Sequence, residues 1–471
     1  MKENESNMIE KVSEAIAHKF SEIWDSTFPV IVFAGKGNNG SDGLAVARIL
    51  SEWGYSVKVV SIFGKGSGNR ENSEFFDNLP ADIRVYDPAD FKSINSDRAI
   101  LIDAIFGTGI SGELKNSLKF IFHQINTSGN CVVSIDLPSG LSPDFSGSTE
   151  EVIKADYTFA VEFPKISLLL EENRKFAGEI VVIKAGILEY ERSVQKIDYT
   201  YVDSDFAKSL VKKRDRFSHK GMYGHALLIC GGEGMAGAAV LATGGALRSG
   251  CGLVTTHISR GEANVIHNTN PSAIVSIDQS NHFSTLPENI EKYDSLGIGC
   301  GIGKKPETCT ALLKLFERYK KPMVIDADAI NIVASSPSMQ ILIPKFSILT
   351  PHAAELRRLL GDWRDEYDKY QKIRSYTIQS GNIVVSKGAY TKIFSPDGSL
   401  YVNSSGTPAL AKAGSGDVLS GLITGLLAKG MRPIDAAILG VYRHGRAGED
   451  AAEERGEESV NSKDVIDFIK F

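Results

Sequence analysis

The chain has 471 residues, of which 42% are hydrophobic and 23% charged, and its formal net charge is −6. This length predicts about two to four globular domains, and the negative charge argues against a nucleic-acid-binding surface. The five cysteines lack C-x-x-C spacing and predict neither a disulfide framework nor a zinc site, while a polar N-terminus and the lack of any apolar run of about 18 residues predict a cytoplasmic protein without a membrane span.

The first part of the chain alternates predicted strands with predicted helices. The strands lie at 29–34, 56–63, 99–102, 131–135, 157–161 and 179–183, and helices lie between several of them, notably at 43–53 and 111–126. Because these strands are continuously apolar rather than alternating, we expect a parallel sheet that is covered by helices on both faces.

A glycine-rich loop, Gly-Lys-Gly-Asn-Asn-Gly-Ser-Asp at 35–42, follows the first predicted strand. It contains the G-x-G-x-x-G pattern, but the second strand does not end in the acidic residue that an ordinary dinucleotide site requires. An ordinary dehydrogenase is therefore disfavoured. The loop also carries two amides and a carboxylate, Asn38, Asn39 and Asp42, that a simple phosphate-binding loop does not need.

Two further predicted strands lead into an aspartate, Asp103 in the segment Asp-Ala-Ile-Phe-Gly-Thr-Gly and Asp136 in the segment Asp-Leu-Pro-Ser-Gly. Ligands of open α/β sheets bind at the carboxyl ends of the strands. We therefore expect four side chains to converge in one crevice: Asn39, Asp103, Asp136 and Ser139. Their oxygens suit a hard cation, and the carboxylates suit proton transfer. The alternative is that each aspartate only caps the helix that follows it.

These three motifs, in this order, resemble the NAD(P)H-hydrate epimerase domain, a Rossmann-like three-layer α/β sandwich that interconverts the R and S forms of hydrated NADH or NADPH. The resemblance implies that residues of all three motifs bind the hydrated nucleotide, namely Asn38, Asn39, Gly40, Ser41, Asp42, Gly107, Thr108, Gly109 and Asp136. It also implies a potassium ion held by Asn39, Asp103 and Ser139, and it makes Asp136 the candidate acid/base.

The alternation weakens over residues 186–216, where charged residues cluster, and we place the domain boundary there, between domains of residues 1–203 and 204–471. Beyond the boundary, strands are predicted at 225–230, 252–257, 294–298, 322–325, 346–349, 383–386 and 391–394. The two parts share no evident repeat, so we expect two unlike α/β domains.

The segment Ala-Gly-Ser-Gly-Asp-Val-Leu-Ser-Gly at 413–421 places a carboxylate, Asp417, at a glycine-rich turn directly before an apolar helical run. A helix N-terminus offers unpaired N–H groups and a partial positive charge that suit a phosphate. The pattern therefore predicts a site that transfers or expels phosphate at a hydroxyl beside Asp417. The alternative is that Asp417 is only the N-cap of the helix.

Other segments of the second part flank predicted strands: His-Lys-Gly at 219–221, a glycine-rich segment at 231–237, Asp-Ala-Asp-Ala at 326–329, Thr-Pro-His at 350–352 and Lys-Gly-Ala-Tyr-Thr at 387–391. With the Gly-Ser-Gly-Asp turn, this ordered set resembles the ribokinase-like α/β fold, and within it the ADP- or ATP-dependent NAD(P)H-hydrate dehydratase. The resemblance covers about residues 205–471.

The resemblance assigns two groups of residues in this half. It implies that the hydrated nucleotide is contacted by Ala238, Gly301, His352 and Asp417, and that ADP or ATP is held by Lys387, Gly388, Ala389, Tyr390, Thr391 and Gly416. It further implies that Asp417 is the base that accepts the proton of the C6 hydroxyl. A magnesium ion assists phosphate transfer in this family, and the phosphorylated hydroxyl then leaves.

Together the two halves predict a bifunctional enzyme that epimerises NAD(P)H hydrate and dehydrates its S form at the expense of ADP or ATP. Two alternatives stay open. In the first alternative, the second half is a small-molecule kinase, because sugar and thiazole kinases share the Gly-x-Gly-Asp turn. In the second alternative, the first half is a catalytically silent module used for assembly. We expect a homo-oligomer whose partners are small molecules, with neither nucleic acid nor membrane among them.

Overall fold

The computed structural model describes residues 5–64, 67–68, 70–108, 114–145, 151–187 and 199–471. The chain divides into two compact units, Met1–Asp198 and Tyr199–Phe471, and each has its own sheet. This division comes before the predicted boundary at residue 203, because residues 200–202 form a strand that pairs with Leu400–Asn403 in the second unit.

The first unit is built around a seven-stranded parallel sheet. Its strands are β1 (Val30–Ala34), β2 (Val57–Ser61), β3 (Arg84–Tyr86), β4 (Ile100–Ala104), β5 (Cys131–Ile135), β6 (Tyr157–Val161) and β7 (Glu179–Ile183). Their spatial order is β3-β2-β1-β4-β5-β6-β7. The six strands predicted for this part are present, and the unpredicted strand is β3, a three-residue edge strand whose side chains are largely exposed.

Helices cover both faces of this sheet. They are α1 (Glu5–Ile23), α2 (Asn38–Glu52), α3 (Arg70–Asp77), α4 (Phe91–Ile94), α5 (Asn116–Asn126) and α6 (Arg174–Ala177). In β1, Val30 and Val32 join the core beneath α1 and α2, whereas Ile31 and Phe33 join the core that contains α5 residues. The unit is therefore a three-layer sandwich, as predicted. The strand order reverses between β1 and β4, which opens a crevice at their carboxyl ends.

The second unit contains a ten-stranded sheet. Its strands are β8 (Thr200–Val202), β9 (His225–Ile229), β10 (Leu253–Ile258), β11 (Ile274–Ile277), β12 (Ser295–Ile298), β13 (Met323–Ile325), β14 (Ile348–Leu349), β15 (Ile383–Ser386), β16 (Lys392–Phe394) and β17 (Leu400–Asn403). The order is β11-β10-β9-β12-β13-β14-β15-β16-β17-β8, and β16 runs antiparallel to both neighbours whereas the other pairs are parallel. The sequence predicted seven of these strands and missed β8, β11 and β17.

Among the helices of this unit, the one at Ser415–Ala428 is almost entirely buried. The helices of the unit are α7 (Ser204–Ser209), α8 (Ala236–Arg248), α9 (Ala263–Thr269), α10 (Pro306–Arg318), α11 (Ala327–Ala334), α12 (Pro337–Leu342), α13 (Ala353–Leu360), α14 (Glu366–Ser380), α15 (Ser415–Ala428), α16 (Pro433–Arg455) and α17 (Ser462–Phe468). A Cβ atom at Gly421 of α15 would lie 1.8 Å from the carbonyl oxygen of Ala242 in α8, so glycine allows the two helices to approach closely. Among the helices of the described residues, none is long and apolar enough to cross a membrane.

Candidate active sites

The turn before α15 positions Asp417. The helix begins at Ser415 with Gly414 as its N-cap, and Gly414 has a φ of 89°, in the left-handed region that favours glycine. Asp417 is therefore the third residue of the helix, and the hypothesis that it serves only as the N-cap is wrong. Its side chain belongs to the first turn, where the backbone N–H groups lack partners within the helix.

A lysine and an aspartate from two strand ends meet beside this turn. Lys387 follows β15, and its Nζ lies 2.9 Å from Oδ1 of Asp326, which follows β13. The buried Asp326 also accepts a hydrogen bond from Ser420 Oγ at 2.6 Å, so α15 fixes the pair. Burial opposes the charge on Lys387, but Asp326 and Glu355 outweigh it and raise the pKa of the ammonium group. The site thus contains a fixed positive charge.

The surroundings of Asp417 prepare it to accept a proton. Burial is the main cause that raises the pKa of Asp417 to about 6, while a hydrogen bond from the Cys300 thiol and the charge of Lys387 limit the rise. The thiol stays protonated because burial raises its own pKa well above the usual range. A carboxylate with this pKa is ionised at neutral pH and still takes up a proton readily, as a general base must.

Asp326, Lys387 and Asp417 line a cavity of about 880 Å³. The residues predicted for this half that line it are His352, Lys387, Gly388, Ala389, Tyr390, Thr391, Gly416 and Asp417. Ala238 and Gly301 are not among its lining residues, although they adjoin each other, since a Cβ atom at Gly301 would lie 3.2 Å from that of Ala238. Gly301 directly follows Cys300, whose thiol contacts Asp417, so this second pair lies near the same carboxylate.

His352 has a structural contact as well as a place in the cavity wall. Its Nδ1 accepts a hydrogen bond from the backbone N–H of Ala354 at 3.1 Å and so caps the N-terminus of α13. Its Nε2 lies 3.3 Å from a carboxylate oxygen of the buried Glu355. The side chain is 53% exposed, which leaves part of the ring free to contact a ligand.

The segment 219–221 lies elsewhere in this unit. The backbone N–H of Gly252, at the start of β10, donates to the carbonyl oxygen of Tyr223 at 3.0 Å, and a Cβ atom at Gly252 would lie 1.8 Å from the carbonyl oxygen of Lys220. The segment therefore sits at the amino ends of β9 and β10, opposite the strand ends that carry Asp326 and Lys387. Its grouping with the Asp417 turn in the sequence does not reflect proximity within this unit.

The first unit has a smaller cavity, of about 430 Å³. The predicted residues that line it are Asn38, Asn39, Asp42, Gly107, Thr108 and Asp136. Gly40 and Ser41 are not among the lining residues, because both face the backbone of the preceding turn. A Cβ atom at Gly40 would lie 2.1 Å from the carbonyl oxygen of Gly35, and Ser41 Oγ donates a hydrogen bond to the carbonyl oxygen of Gly37 at 3.3 Å. Gly109 lies outside the described residues.

The three predicted potassium ligands differ in their surroundings. Asn39 is buried, and among the described residues neither of its side-chain polar atoms has a hydrogen-bond partner. The fully buried Asp103 accepts hydrogen bonds from Ser134 Oγ at 2.8 Å and from the N–H and Oγ of Ser139 at 2.8 and 2.6 Å. Burial raises the pKa of Asp103 against the effect of these bonds. Of the three, Asn39 is thus the residue whose buried side chain has no partner among the described residues.

Asp136 is held in an unusual conformation next to a buried lysine. It directly follows β5 with a φ of 65°, which is uncommon for a residue other than glycine. Its Oδ1 lies 2.8 Å from Nζ of Lys165, whose side chain is 1% exposed and lines the same cavity. No motif marked Lys165 in the sequence. Its position just after a predicted strand was the signal available.

Comparison with known proteins covers both units. A family model described as NAD(P)H-hydrate dehydratase matches residues 226–470, and one described as YjeF-related protein N-terminus matches residues 5–167. The bifunctional NAD(P)H-hydrate repair enzyme Nnr of Moorella thermoacetica is 33% identical over 462 residues, which cover 94% of this chain and 87% of that protein. The chain belongs to the NAD(P)H-hydrate repair enzyme family. The resemblances drawn from the motifs of both halves are thereby confirmed.

Solved structures agree for the second unit of this family member. The ADP/ATP-dependent NAD(P)H-hydrate dehydratase from Bacillus subtilis, co-crystallised with ATP and Mg²⁺, matches with a TM-score of 0.51 and 29% identity, covering 58% of this chain and 97% of that one. A ribokinase-like superfamily protein from Enterococcus faecalis V583 matches with a TM-score of 0.53 and 26% identity, covering 57% and 94%. The predicted ribokinase-like α/β fold is thus confirmed.

Part of the larger cavity wall was not predicted. Residues 403–408 and 410–412 line it, together with the buried His444, whose Nε2 lies 3.3 Å from Ser415 Oγ. Burial lowers the pKa of His444 to about 4, so the ring is neutral at physiological pH. The loop is polar and contains Gly and Pro, a composition typical of any surface turn, and it therefore carried no specific signal.

Proposed function

We propose that this chain epimerises the R and S forms of hydrated NADH and NADPH in its first unit and dehydrates the S form, with ADP or ATP, in its second. The relative from M. thermoacetica is a bifunctional NAD(P)H-hydrate repair enzyme, and the B. subtilis dehydratase was co-crystallised with ATP and Mg²⁺. The observation that carries the proposal is the position of Asp417, a largely buried carboxylate in the first turn of α15, near Lys387, in the wall of the larger cavity.

In the second unit, Asp417 accepts the proton of the C6 hydroxyl as the hydroxyl oxygen attacks the terminal phosphorus of ADP or ATP. The N–H groups at the start of α15 and the ammonium group of Lys387 stabilise the charge that develops on the transferred phosphoryl group. The C6–O bond then breaks, phosphate leaves, and loss of a proton from C5 restores the dihydronicotinamide ring. Phosphate transfer comes first because hydroxide is a poor leaving group and phosphate a good one.

The adenine nucleotide is proposed to bind residues 387–391 and Gly416, which line the same cavity. Among the described residues, no group of three or more His, Cys, Asp or Glu side chains forms a ready-made metal site. Mg²⁺ is commonly bound by one or two carboxylates together with substrate phosphates, and Asp326 and Glu355 in the cavity wall fit that requirement. Asp326 and Glu355 would hold the ion, which would neutralise negative charge on the phosphates.

In the first unit, Asp136 is the proposed acid/base, and the hydrated nucleotide is proposed to occupy the smaller cavity. The residues fit a potassium ion, because Asn39 has a buried side-chain oxygen without a partner among the described residues, and the hydrogen-bonded side chains of Asp103 and Ser139 offer further oxygens. Asn39, Asp103 and Ser139 would hold the ion. When bound, it would supply a positive charge that compensates the negative charge of the substrate.

One assay tests both activities. The R form alone is supplied with ADP and magnesium to the wild-type protein and to the Asp136→Asn and Asp417→Asn variants. We expect wild-type protein to convert all of it to NAD(P)H, Asp136→Asn to be limited by spontaneous epimerisation, and Asp417→Asn to form a mixture of R and S with dehydration slowed about 10²–10⁴-fold. Wild-type clearance at only the spontaneous rate would refute the epimerase, and unchanged dehydration by Asp417→Asn would refute the role of that residue.

A further inference from the structure

Lys165 is a buried ionisable residue in the wall of the smaller cavity. It follows β6, its side chain is 1% exposed, and its Nζ lies 2.8 Å from Oδ1 of Asp136 at the end of the neighbouring β5. Both residues line the cavity. Lysine is almost never fully buried unless it is paired, so this ammonium group is held in place by the carboxylate that is the candidate acid/base.

Asp136 itself, and Glu162 in the turn that leads to Lys165, have left-handed backbone conformations that are unfavourable for residues other than glycine. Asp136, directly after β5, has a φ of 65°, and Glu162, directly after β6, has a φ of 61°. The Glu162 carboxylate fixes its turn by accepting hydrogen bonds from the N–H groups of Ala185 at 2.9 Å and Ile187 at 2.8 Å. Strained residues of this kind cluster at functional sites. Here they set the two adjacent strand ends from which Asp136 and Lys165 reach the cavity.

Stability alone does not account for this ion pair. Replacing a buried ion pair by apolar residues is often neutral or stabilising. Apolar side chains already form another part of the same wall, among them Met8, Ile9 and Val12. An ion pair kept at a ligand-facing position therefore points to chemistry rather than packing.

We propose that Lys165 is the general acid of the first unit and acts beside Asp136 as the base, an inference that rests on the proposed epimerisation. Asp136 takes the proton of the C6 hydroxyl, a C6=O double bond forms, the C6–N1 bond breaks, and Lys165 delivers a proton to N1. The resulting open-chain aldehyde rotates about its C5–C6 bond. Attack of N1 on the opposite face of the carbonyl then closes the ring, as N1 returns its proton to Lys165 and Asp136 returns its proton to the oxygen.

The positions of the two groups favour ring opening over the loss and return of water. Loss and return of water needs an acid on one face of the ring and a base on the other. The charged groups of Asp136 and Lys165 are 2.8 Å apart in the wall of one cavity, too close together to lie on opposite faces of a ring. The hydroxyl oxygen and N1 are bonded to the same carbon, so two such neighbouring groups reach both atoms together.

The full-length protein without ADP or ATP isolates this step, because the proposed dehydration requires nucleotide. The R form of hydrated NADH is incubated with wild type, Lys165→Met and Lys165→Arg, and the R to S ratio is followed by chromatography. We expect both variants to slow interconversion about 10²–10⁴-fold. Dehydration of the S form after ADP is added should stay at the wild-type rate, which serves as an internal control.

The arginine variant separates proton transfer from positioning. Arginine keeps a positive charge for Asp136 but does not release its proton. Interconversion by Lys165→Arg or Lys165→Met at the wild-type rate would therefore overturn the role of Lys165, whereas a wild-type protein that does not interconvert the two forms would overturn the proposed epimerase itself.

Chemical rescue provides a second measurement. Small alkylamines should restore interconversion in Lys165→Ala, with rates that depend on the pKa of the amine. If no amine restores the rate in a Lys165→Ala protein whose amide exchange matches wild type, the general-acid role is wrong.

Discussion

The two units both place a candidate catalytic aspartate near a lysine, fully buried in the first unit and 20% exposed in the second, but they pair the charges differently. In the first unit, Lys165 contacts the candidate base itself, Asp136, at 2.8 Å. In the second unit, Lys387 contacts Asp326 at 2.9 Å, and the pKa of Asp417 rises to about 6 through burial. The lysine of the first unit thus pairs with the candidate base, whereas the lysine of the second unit pairs with a neighbouring carboxylate and leaves the candidate base, Asp417, with a raised pKa.

This difference matches the two proposed reactions. Proton removal during phosphate transfer is favoured by a base whose pKa lies near the working pH. Reversible ring opening instead needs an acid and a base side by side, so that each returns its proton when the ring closes. In the proposed mechanisms, Asp417 is thus a base that acts alone, and Asp136 is a base that acts with an acid partner.

The largest expected contrast is in stability. Asp136→Asn removes the carboxylate that contacts a lysine of 1% exposure and should destabilise the first unit by as much as about 3–5 kcal/mol. Asp417→Asn replaces a carboxylate whose pKa is raised from 3.8 to about 6, and should stabilise the second unit by up to about 3 kcal/mol at pH 7. Hydrogen exchange of peptides from β5 and from α15 measures the two units separately.

The pH dependence gives the control for this prediction. Because folding raises the pKa of Asp417, the contribution of this residue to the stability of the second unit is fully present below pH 3.8 and is lost as the pH rises through about 6. The advantage of Asp417→Asn should therefore be absent at low pH and complete at neutral pH. An advantage that grows towards acid pH would contradict the assignment.

The strands that could be predicted from the sequence are those buried on both faces. In β1, all five residues are buried, so the apolar run itself marks a central parallel strand. Three of the four missed strands, β3, β8 and β11, lie at sheet edges and have only three or four residues. At an edge, part of each strand faces solvent, and the apolar pattern that reveals a strand is correspondingly weak.

The site residues that could be predicted are those within motifs. Asp417 could be predicted because a glycine-rich turn precedes it, and Asp136 because a turn with proline and glycine follows it. Lys165 did not, because a lysine after a strand reads the same in sequence whether it is buried or exposed. The pairing of Lys387 with Asp326 joins residues 61 positions apart. That pairing depends on the order of β13, β14 and β15, which apolar periodicity does not reveal.

An intermediate effect is expected from potassium, which should matter to the first unit alone. Replacing potassium by tetramethylammonium should slow epimerisation and leave dehydration unchanged. Asn39→Leu removes the buried amide that has no partner in the described part of the chain, and should weaken potassium activation about 10–100-fold. Asn38→Leu, at the neighbouring position of the same loop, should keep the response to potassium even if it weakens substrate binding. Epimerisation by wild type that is indifferent to potassium would exclude the ion from this site.

The smallest expected effect concerns the Cys300 thiol. In wild type, dehydration should fall about tenfold per pH unit below pH 6, as Asp417 becomes protonated. Burial sets this pKa, and the hydrogen bond from Cys300 lowers it, so Cys300→Ala should move the decline to higher pH by less than about one unit. Rates measured between pH 5 and pH 8 at saturating substrate would show the shift.

Cys230→Ala is the matched control, because burial and the nearby charge of Asp417 raise the pKa of this thiol, and among the described residues it makes no hydrogen bond to Asp417. Equal shifts in both cysteine variants, or a shift to lower pH in Cys300→Ala, would rule out the hydrogen bond as the cause. An upward shift in Cys300→Ala alone would show that the thiol favours the ionised form of Asp417. The Cys300 thiol, a neutral hydrogen-bond donor, would then stabilise the ionised form of Asp417 slightly, as the charged Lys165 stabilises ionised Asp136 in the first unit.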